Sequence, residues 1–238
     1  IFFWFSGRVI YVDVNARGDS DGSCWEDAYT DLQTALEASH PGDEIRVADG
    51  VYLPSRRLIP SDPRSATFQL PDSVKLIGGF AGNDAPDAPR APRAFKTILS
   101  GDLRGDDHLK GNKDNCYHVL TASDPTNPWE SHMLDGFTII AGNADNISAG
   151  RSDVGGGIYQ DNSLLTLIDC TIKGNRAVSR GSGLFCRDGM LTLMRCEFVE
   201  NSASIKDKNK GVYHENSRLT VTNCRFTSVP DGILTLKK

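Results

Sequence analysis

Gly157-Ile158-Tyr159 through Cys170-Thr171-Ile172, Gly183-Leu184-Phe185 through Cys196-Glu197-Phe198, and Gly211-Val212-Tyr213 through Cys224-Arg225-Phe226 lie over one another without a gap. Read as columns, they align Ile158, Leu184 and Val212; Leu165, Leu191 and Leu219; Leu167, Leu193 and Val221; Cys170, Cys196 and Cys224; and Ile172, Phe198 and Phe226. A polar column, Thr166, Thr192 and Thr220, separates the two leucine columns. Apolar–polar–apolar alternation has period two, so each copy reads as half-buried strand. A lone copy of roughly 26 residues cannot bury its apolar face, but copies stacked like on like can. The expected architecture is all-β, a parallel β-helix (solenoid) in which each copy adds one rung ~4.8 Å from the last.

The punctuation agrees. Asn175-Arg176-Ala177 and Asn201-Ser202-Ala203 follow the last apolar column at a fixed distance. Asn tolerates the left-handed backbone of a sharp corner, and its amide can bond to the adjoining rung. Gly155, Gly156, Gly157, Gly181 and Gly183 open the next strand, where a corner needs unusual φ. A β-sandwich of repeated hairpins is the alternative, but its turns would be shorter and its columns would not align.

Working outward, residues 1–238 read as one elongated domain: an N-terminal strand and cap helix in 1–42, irregular coils with long loops in 43–133, and regular coils in 134–238. Strands are expected in 8–14, 44–48, 66–70, 73–80, 96–99, 117–122 and 134–140, with Phe137 and Ile139 in the places of Cys170 and Ile172. Loops are expected in 54–65, 84–93 and 100–115, and a turn in 124–130. The one helix expected is 30–39, with Thr30 as N-cap, Asp31 in the first turn and Leu32, Ala35 and Leu36 on one face. It is suited to cover the first rung, whose bare edge would otherwise recruit another chain. Residues 1–7 read either as the end of a signal peptide or as a retained strand. Residues 232–238 read as a last strand without an evident cap: either the chain continues, or another subunit covers the rung, or Lys237 and Lys238 protect it, and the rung is expected to touch something.

Gly155-Gly156-Gly157-Ile158 and Phe198-Val199-Glu200-Asn201 resemble the GG-apolar and FxxN repeats of chlamydial polymorphic outer-membrane proteins. The chain departs from that pattern at Ile172, which stands for Phe, at Ser182, which interrupts the double glycine, and at Val229, which stands for Asn. The front half resembles secreted right-handed β-helix proteins of the pectin-lyase-like type. Tyr11-Val12-Asp13, Asp21-Gly22-Ser23-Cys24-Trp25, Asp31-Leu32-Gln33, Gly42-Asp43-Glu44-Ile45, Leu76-Ile77-Gly78-Gly79-Phe80-Ala81-Gly82 and Thr97-Ile98-Leu99-Ser100-Gly101-Asp102 carry that likeness. The resemblance implies a right-handed coil and a secreted or cell-envelope location with bacterial-type export. It implies no particular reaction.

The net charge is −5, with acidic and basic residues interspersed, so no basic stripe points to nucleic acid as a partner. No run approaches the ~20 apolar residues that span a bilayer. Of six cysteines, Cys170, Cys196 and Cys224 should point inward one above another. Parallel Cα–Cβ vectors resist the ~90° disulfide dihedral, so a buried reduced ladder is expected. Stacked thiols also do not converge on a tetrahedral metal. A Cys24–Cys116 bridge rests on parity alone, and Cys186 is unassigned.

Ser100-Gly101-Asp102-Leu103-Arg104-Gly105-Asp106-Asp107-His108 is the most site-like stretch. Asp102, Arg104, Asp106, Asp107 and His108 could bind Ca²⁺ or position an acidic sugar, as polysaccharide lyases of this fold do with Asp clusters and a basic residue; Asp-Gly pairs are also ordinary turn chemistry. Asp13, Asn15, Asp19 and Asp21 offer oxygen ligands for Ca²⁺ without EF-hand spacing. Arg17-Gly18-Asp19 and Arg104-Gly105-Asp106 spell an integrin-type tripeptide that arises readily by chance. Tyr159, Phe185 and Tyr213 should face outward, either as an exposed row for sugar rings or a partner, or as cross-strand stacking that holds the sheet. The expected function is a non-catalytic surface, adhesive or scaffold component. Its partners would be another protein subunit, a cell-surface component or carbohydrate. The alternative is a polysaccharide lyase or hydrolase acting on an acidic glycan.

Overall fold

The computed structural model describes residues 7–85, 87–123, 131–148, 152–204, 211–227 and 234–237. The readings placed on 1–6, 124–130, Val229 and most of 232–238 lie outside the described residues. Among the described residues the fold is all-β, built from parallel sheets with two short α-helices.

The three copies stack in the register that their columns demand. Ile158 pairs with Leu184 and Leu184 with Val212. Leu165, Thr166 and Leu167 pair with Leu191, Thr192 and Leu193, and these with Leu219, Thr220 and Val221. Ile172 pairs with Phe198, and Phe198 with Phe226. The stacking continues toward the N-terminus, giving sheets of seven, six, six and three strands in which each successive segment adds to the next. Ile158, Leu165, Leu167, Ile172, Leu184, Leu191, Leu193 and Phe198 are at most 1% exposed, in one apolar cluster that runs through the molecule. The third copy is less covered: Leu219 and Phe226 are partly buried and Val221 is 37% exposed.

Corners differ from the sequence expectation in one respect. Asn175 and Asn201 do not take the left-handed conformation themselves; the residues before them, Gly174 and Glu200, do, at φ 66° and 54°. This turns both Asn side chains inward, 0% and 2% exposed, where the amides satisfy buried backbone. Asp169, Arg195 and Asn223 occupy a second left-handed corner, where Gly136 stands in the preceding segment. Gly136 also splits the expected strand 134–140 into Ser131–Asp135 and Phe137–Ile140. Phe137 and Ile139 are buried, and Ile139 pairs with Ile172 as the column reading requires.

The first helix is Leu32–Ala38, with Asp31 rather than Thr30 as N-cap; the carboxylate accepts Gln33 N–H at 3.1 Å. An ionised oxygen is the stronger acceptor at a helix N-terminus, so the cap falls one residue later. Leu32, Ala35 and Leu36 are buried in the main cluster beside Ile10 and Ile45. Backbone also meets strand Val9–Val12: Tyr11 and Asp13 donate to the Gly22 and Tyr29 carbonyls at 2.9 Å. A second helix, Asp107–Lys110, lies in a stretch expected to be loop.

All six cysteines are free thiols. Cys170 and Cys196 are buried as expected, and Cys224 is partly covered. Cys24 is exposed while Cys116 is fully buried, which separates the two residues whose pairing parity had suggested. Cys186 stands between Gln160 and His214 in an inward column.

Candidate functional site

The loop that sequence reading singled out uses its charges on itself. The Asp102 carboxylate accepts the N–H groups of Arg104, Asp106 and Asp107 at 3.4, 3.2 and 3.2 Å, which starts the short helix. Lys110 pairs with Asp106 at 2.9 Å, and Arg104 with Asp114 at 3.3 Å. Asn115 donates to Asp107 at 3.1 Å. Burial, helped by Asp102, Asp114 and Asp106, pushes the Asp107 carboxyl above the usual carboxylate range. His108 is exposed. The set is gathered around Asp102 as a turn-and-cap device. Asp106 is 9% exposed, so the second Arg-Gly-Asp triplet is not displayed.

The N-terminal oxygen candidates are spread out. Asp13 is buried and accepts Asn15 N–H and Asn83 N–H, both at 2.8 Å, tying the first strand to the 82–84 turn. Asp21 accepts Ser23 N–H at 2.8 Å, and hydrogen bonding to Ser23, from its side chain first and its backbone second, pulls the Asp21 carboxyl below the ordinary range. Asp19 lies exposed, with its N–H on Asp27. Among the described residues no group of three or more His, Cys, Asp or Glu side chains is arranged to hold a metal ion.

The aromatic row points outward but is covered. Tyr159, Phe185 and Tyr213 stack with centroids 5.7 and 5.6 Å apart and planes within 7° and 13°. His118 continues the stack against Tyr159 at 5.1 Å, and the Arg180 guanidinium lies 4.9 Å from the Tyr213 ring. Phe185 and Tyr213 are 3% and 1% exposed and form a second apolar cluster with Val154. The ring faces are used within the row, at about 0.5–1.5 kcal/mol per pair. The row therefore stabilises the sheet and offers no stacking platform. His118 donates from Nδ1–H to the Gly155 carbonyl, 2.9 Å away, and burial pulls its imidazole down to about 4.

A groove of 1080 Å³ runs across the outer face of strands Thr97–Ser100, Phe137–Ile140, Thr171–Lys173 and Glu197–Val199. Ile98, Thr138, Thr171 and Glu197 form its floor, one per strand and in register. The excursion 90–96 forms one wall, pinned where Ala91 N–H meets the Gly79 carbonyl at 2.8 Å. Five basic side chains line it: Arg90, Arg93, Lys96, Lys173 and Arg195. Arg90 is fixed by the Gly78 carbonyl at 2.7 Å and Asp135 at 2.5 Å. Arg195 grips Asp169 through two 2.8 Å bonds, and this pairing holds the Asp169 carboxyl below its usual range against the opposing effect of burial. Lys173 reaches Glu200 at 3.6 Å across exposed surface, a contact of little energy. Arg93, Lys96 and Glu197 make no ion pair among the described residues. None of these side chains stood out in sequence, because Arg90, Arg93 and Lys96 reach the groove from an irregular excursion while Lys173 and Arg195 lie on strand end and corner.

No family model, no curated protein and no solved structure matches the chain. The geometry of the groove is therefore the firmest guide to activity. It can hold anions: guanidinium groups suit bidentate carboxylate or sulfate recognition, and several cations on one concave surface focus potential there.

Proposed function

We propose that the chain is a right-handed parallel β-helix of the pectin-lyase-like type. We propose further that it serves as a non-catalytic, secreted or envelope-associated surface component holding an acidic glycan along the groove. The in-register stacking of consecutive segments supports the β-helix. The observation that carries the function is the gathering of five cationic side chains on one groove of a chain whose net charge is −5. Four strands at ~4.8 Å spacing make a floor on the order of 14 Å long, enough for a few residues of an extended polymer. Fixed pairs, Arg90–Asp135 and Arg195–Asp169, keep two guanidinium groups oriented, while Arg93 and Lys96 are left to neutralise ligand charge.

Calorimetry with polygalacturonate and a neutral glucan tests this reading. Binding of the acidic polymer alone is expected, weakening steeply with salt. The double variant Arg93→Ala/Lys96→Ala should lose about tenfold or more in affinity. Equal binding of the neutral polymer, or an unaffected double variant, would sink the proposal.

The second reading is a lyase or hydrolase on the same glycan. It is favoured by Glu197 and Lys96, an acid and a base that line one groove without ion-pair partners among the described residues. Appearance of unsaturated or reducing ends on incubation with polygalacturonate would establish it; binding without product supports the non-catalytic role.

A further inference from the structure

The seven-stranded sheet carries a second surface around the corner from the groove. On strands Leu164–Ile168 and Met190–Met194 the inward residues are Leu165, Leu167, Leu191 and Leu193. The alternate residues face outward. They are Leu164, Thr166 and Ile168 on one strand, and Met190, Thr192 and Met194 in register on the next. None is ionisable. All are at least partly exposed, Met190 reaching 39%. Met133 on one side and Thr220 on the other extend the threonine column over two more strands, with no slip in register from Ser131–Asp135 to Arg218–Thr222. At the border Asp135 pairs with Arg90 and Asp169 with Arg195, while Arg218, exposed and in register with Met190, marks the edge of the uncharged strip.

Four strands at ~4.8 Å by five residues at ~3.3 Å cover roughly 300 Å². A stable protein–protein interface needs about 800 Å² from each partner, so this strip is small for a second copy of the chain. A repeating partner without charge fits better. We propose that this face docks an ordered, uncharged polysaccharide. The aliphatic and thioether side chains would lie on the apolar faces of sugar rings. The threonine hydroxyls, repeating at the strand spacing, would meet hydroxyls that recur along the polymer. The sheet holds the array rigid beforehand, so little ordering entropy is lost on contact, and many weak contacts act together. This site is independent of the cationic groove.

The test is depletion of the protein from solution by microcrystalline cellulose and by chitin powder. At least one powder is expected to retain it equally at low salt and in about 1 M NaCl. Thr192→Glu and Met190→Lys should each lower the bound fraction about tenfold, because a charge would be pressed against an uncharged surface. Arg93→Ala/Lys96→Ala should bind as the unaltered protein does. Met190 is the more exposed of the two positions, so its variant carries the test should Thr192→Glu fail to fold by circular dichroism. Protein that stays in the supernatant with both powders overturns the proposal, as does undiminished binding by folded variants. A dimer in sedimentation that Met190→Lys dissociates would assign the face to a second copy and overturn it too.

Discussion

Asn175 gives both its backbone N–H and its Nδ2 to one oxygen, the Oδ1 of Asn201, at 3.0 and 3.1 Å. Asn201 Nδ2 in turn donates to the Ile172 carbonyl at 2.8 Å, and Asn175 Oδ1 accepts Gly142 N–H at 3.0 Å. The two amides thus stitch three consecutive segments from inside. Asn201→Ala takes the partner from the Asn175 N–H and a donor from the Ile172 carbonyl, while Asn175 Nδ2 keeps the Ile139 carbonyl at 3.0 Å. At about 1–3 kcal/mol per stranded buried group, a loss of ~2–4 kcal/mol is expected. Urea unfolding should show a lower midpoint at unchanged slope.

Phe185 sits in the middle of the aromatic row, between Tyr159 and Tyr213. Phe185→Ala should cost about 3–5 kcal/mol, because a buried ring is removed and both neighbouring stacks are lost. Tyr213→Phe keeps the ring and loses the 2.8 Å bond from Arg180, so a cost of only ~1 kcal/mol is expected. Thermal unfolding of the pair of variants checks the ratio; near-equal effects would count against the row as packing.

His118 titrates at about 4 in the folded chain, because burial disfavours the imidazolium, against 6.5 for the free side chain. The unfolded chain therefore binds the extra proton between these values and the folded chain does not. Stability should be full above about pH 6.5 and fall as the pH drops toward 4, by up to ~2 kcal/mol from this residue. His118→Phe should flatten that part of the stability–pH curve. An unchanged curve would place the dependence elsewhere.

Asp169 owes its low carboxyl pKa first to the Arg195 hydrogen bonds. Arg195→Ala should raise it toward the ordinary value of 3.8, readable by NMR titration of the carboxyl carbon. The same variant should weaken acidic-glycan binding, since one of five groove cations is lost.

Alkylation separates the thiols. Cys24 is exposed and should react in the native protein. Cys116 and Cys186 are buried, their thiols pushed up to about 12 and about 11 by burial, so neither forms thiolate at neutral pH. The Cys196 thiol is raised as well, chiefly by its contact with Cys170. Iodoacetamide followed by intact-mass measurement should give fast modification of Cys24, and modification of Cys116, Cys170, Cys186 and Cys196 only on unfolding.

The sheet register was legible because a period-two pattern repeated at a nearly constant step leaves one alignment that buries every apolar column. Ile158 over Leu184 and Leu165 over Leu191 follow from that pattern alone. The corner conformations were not legible to the residue: Gly174 and Glu200 turn the chain, while Asn175 and Asn201 point inside. The aromatic row was legible as outward-facing, and cross-strand stacking was one of its two readings; that the stack is covered, with Val154 packed against Phe185 and Tyr213, comes from the folded arrangement. The acidic loop was read as a site because its composition suits one; its carboxylates turned out to be engaged with nearby backbone N–H groups and cations.

Alternation and repetition settle which residues face inward, because burying apolar area is a property of the pattern and needs no knowledge of the loops. The groove is a different matter. Arg90, Arg93 and Lys96 lie far along the chain from Lys173 and Arg195, and only the folded arrangement brings them together. Charge acts through space over about a Debye length, not along the sequence, so which cations share a surface was decided by tertiary structure.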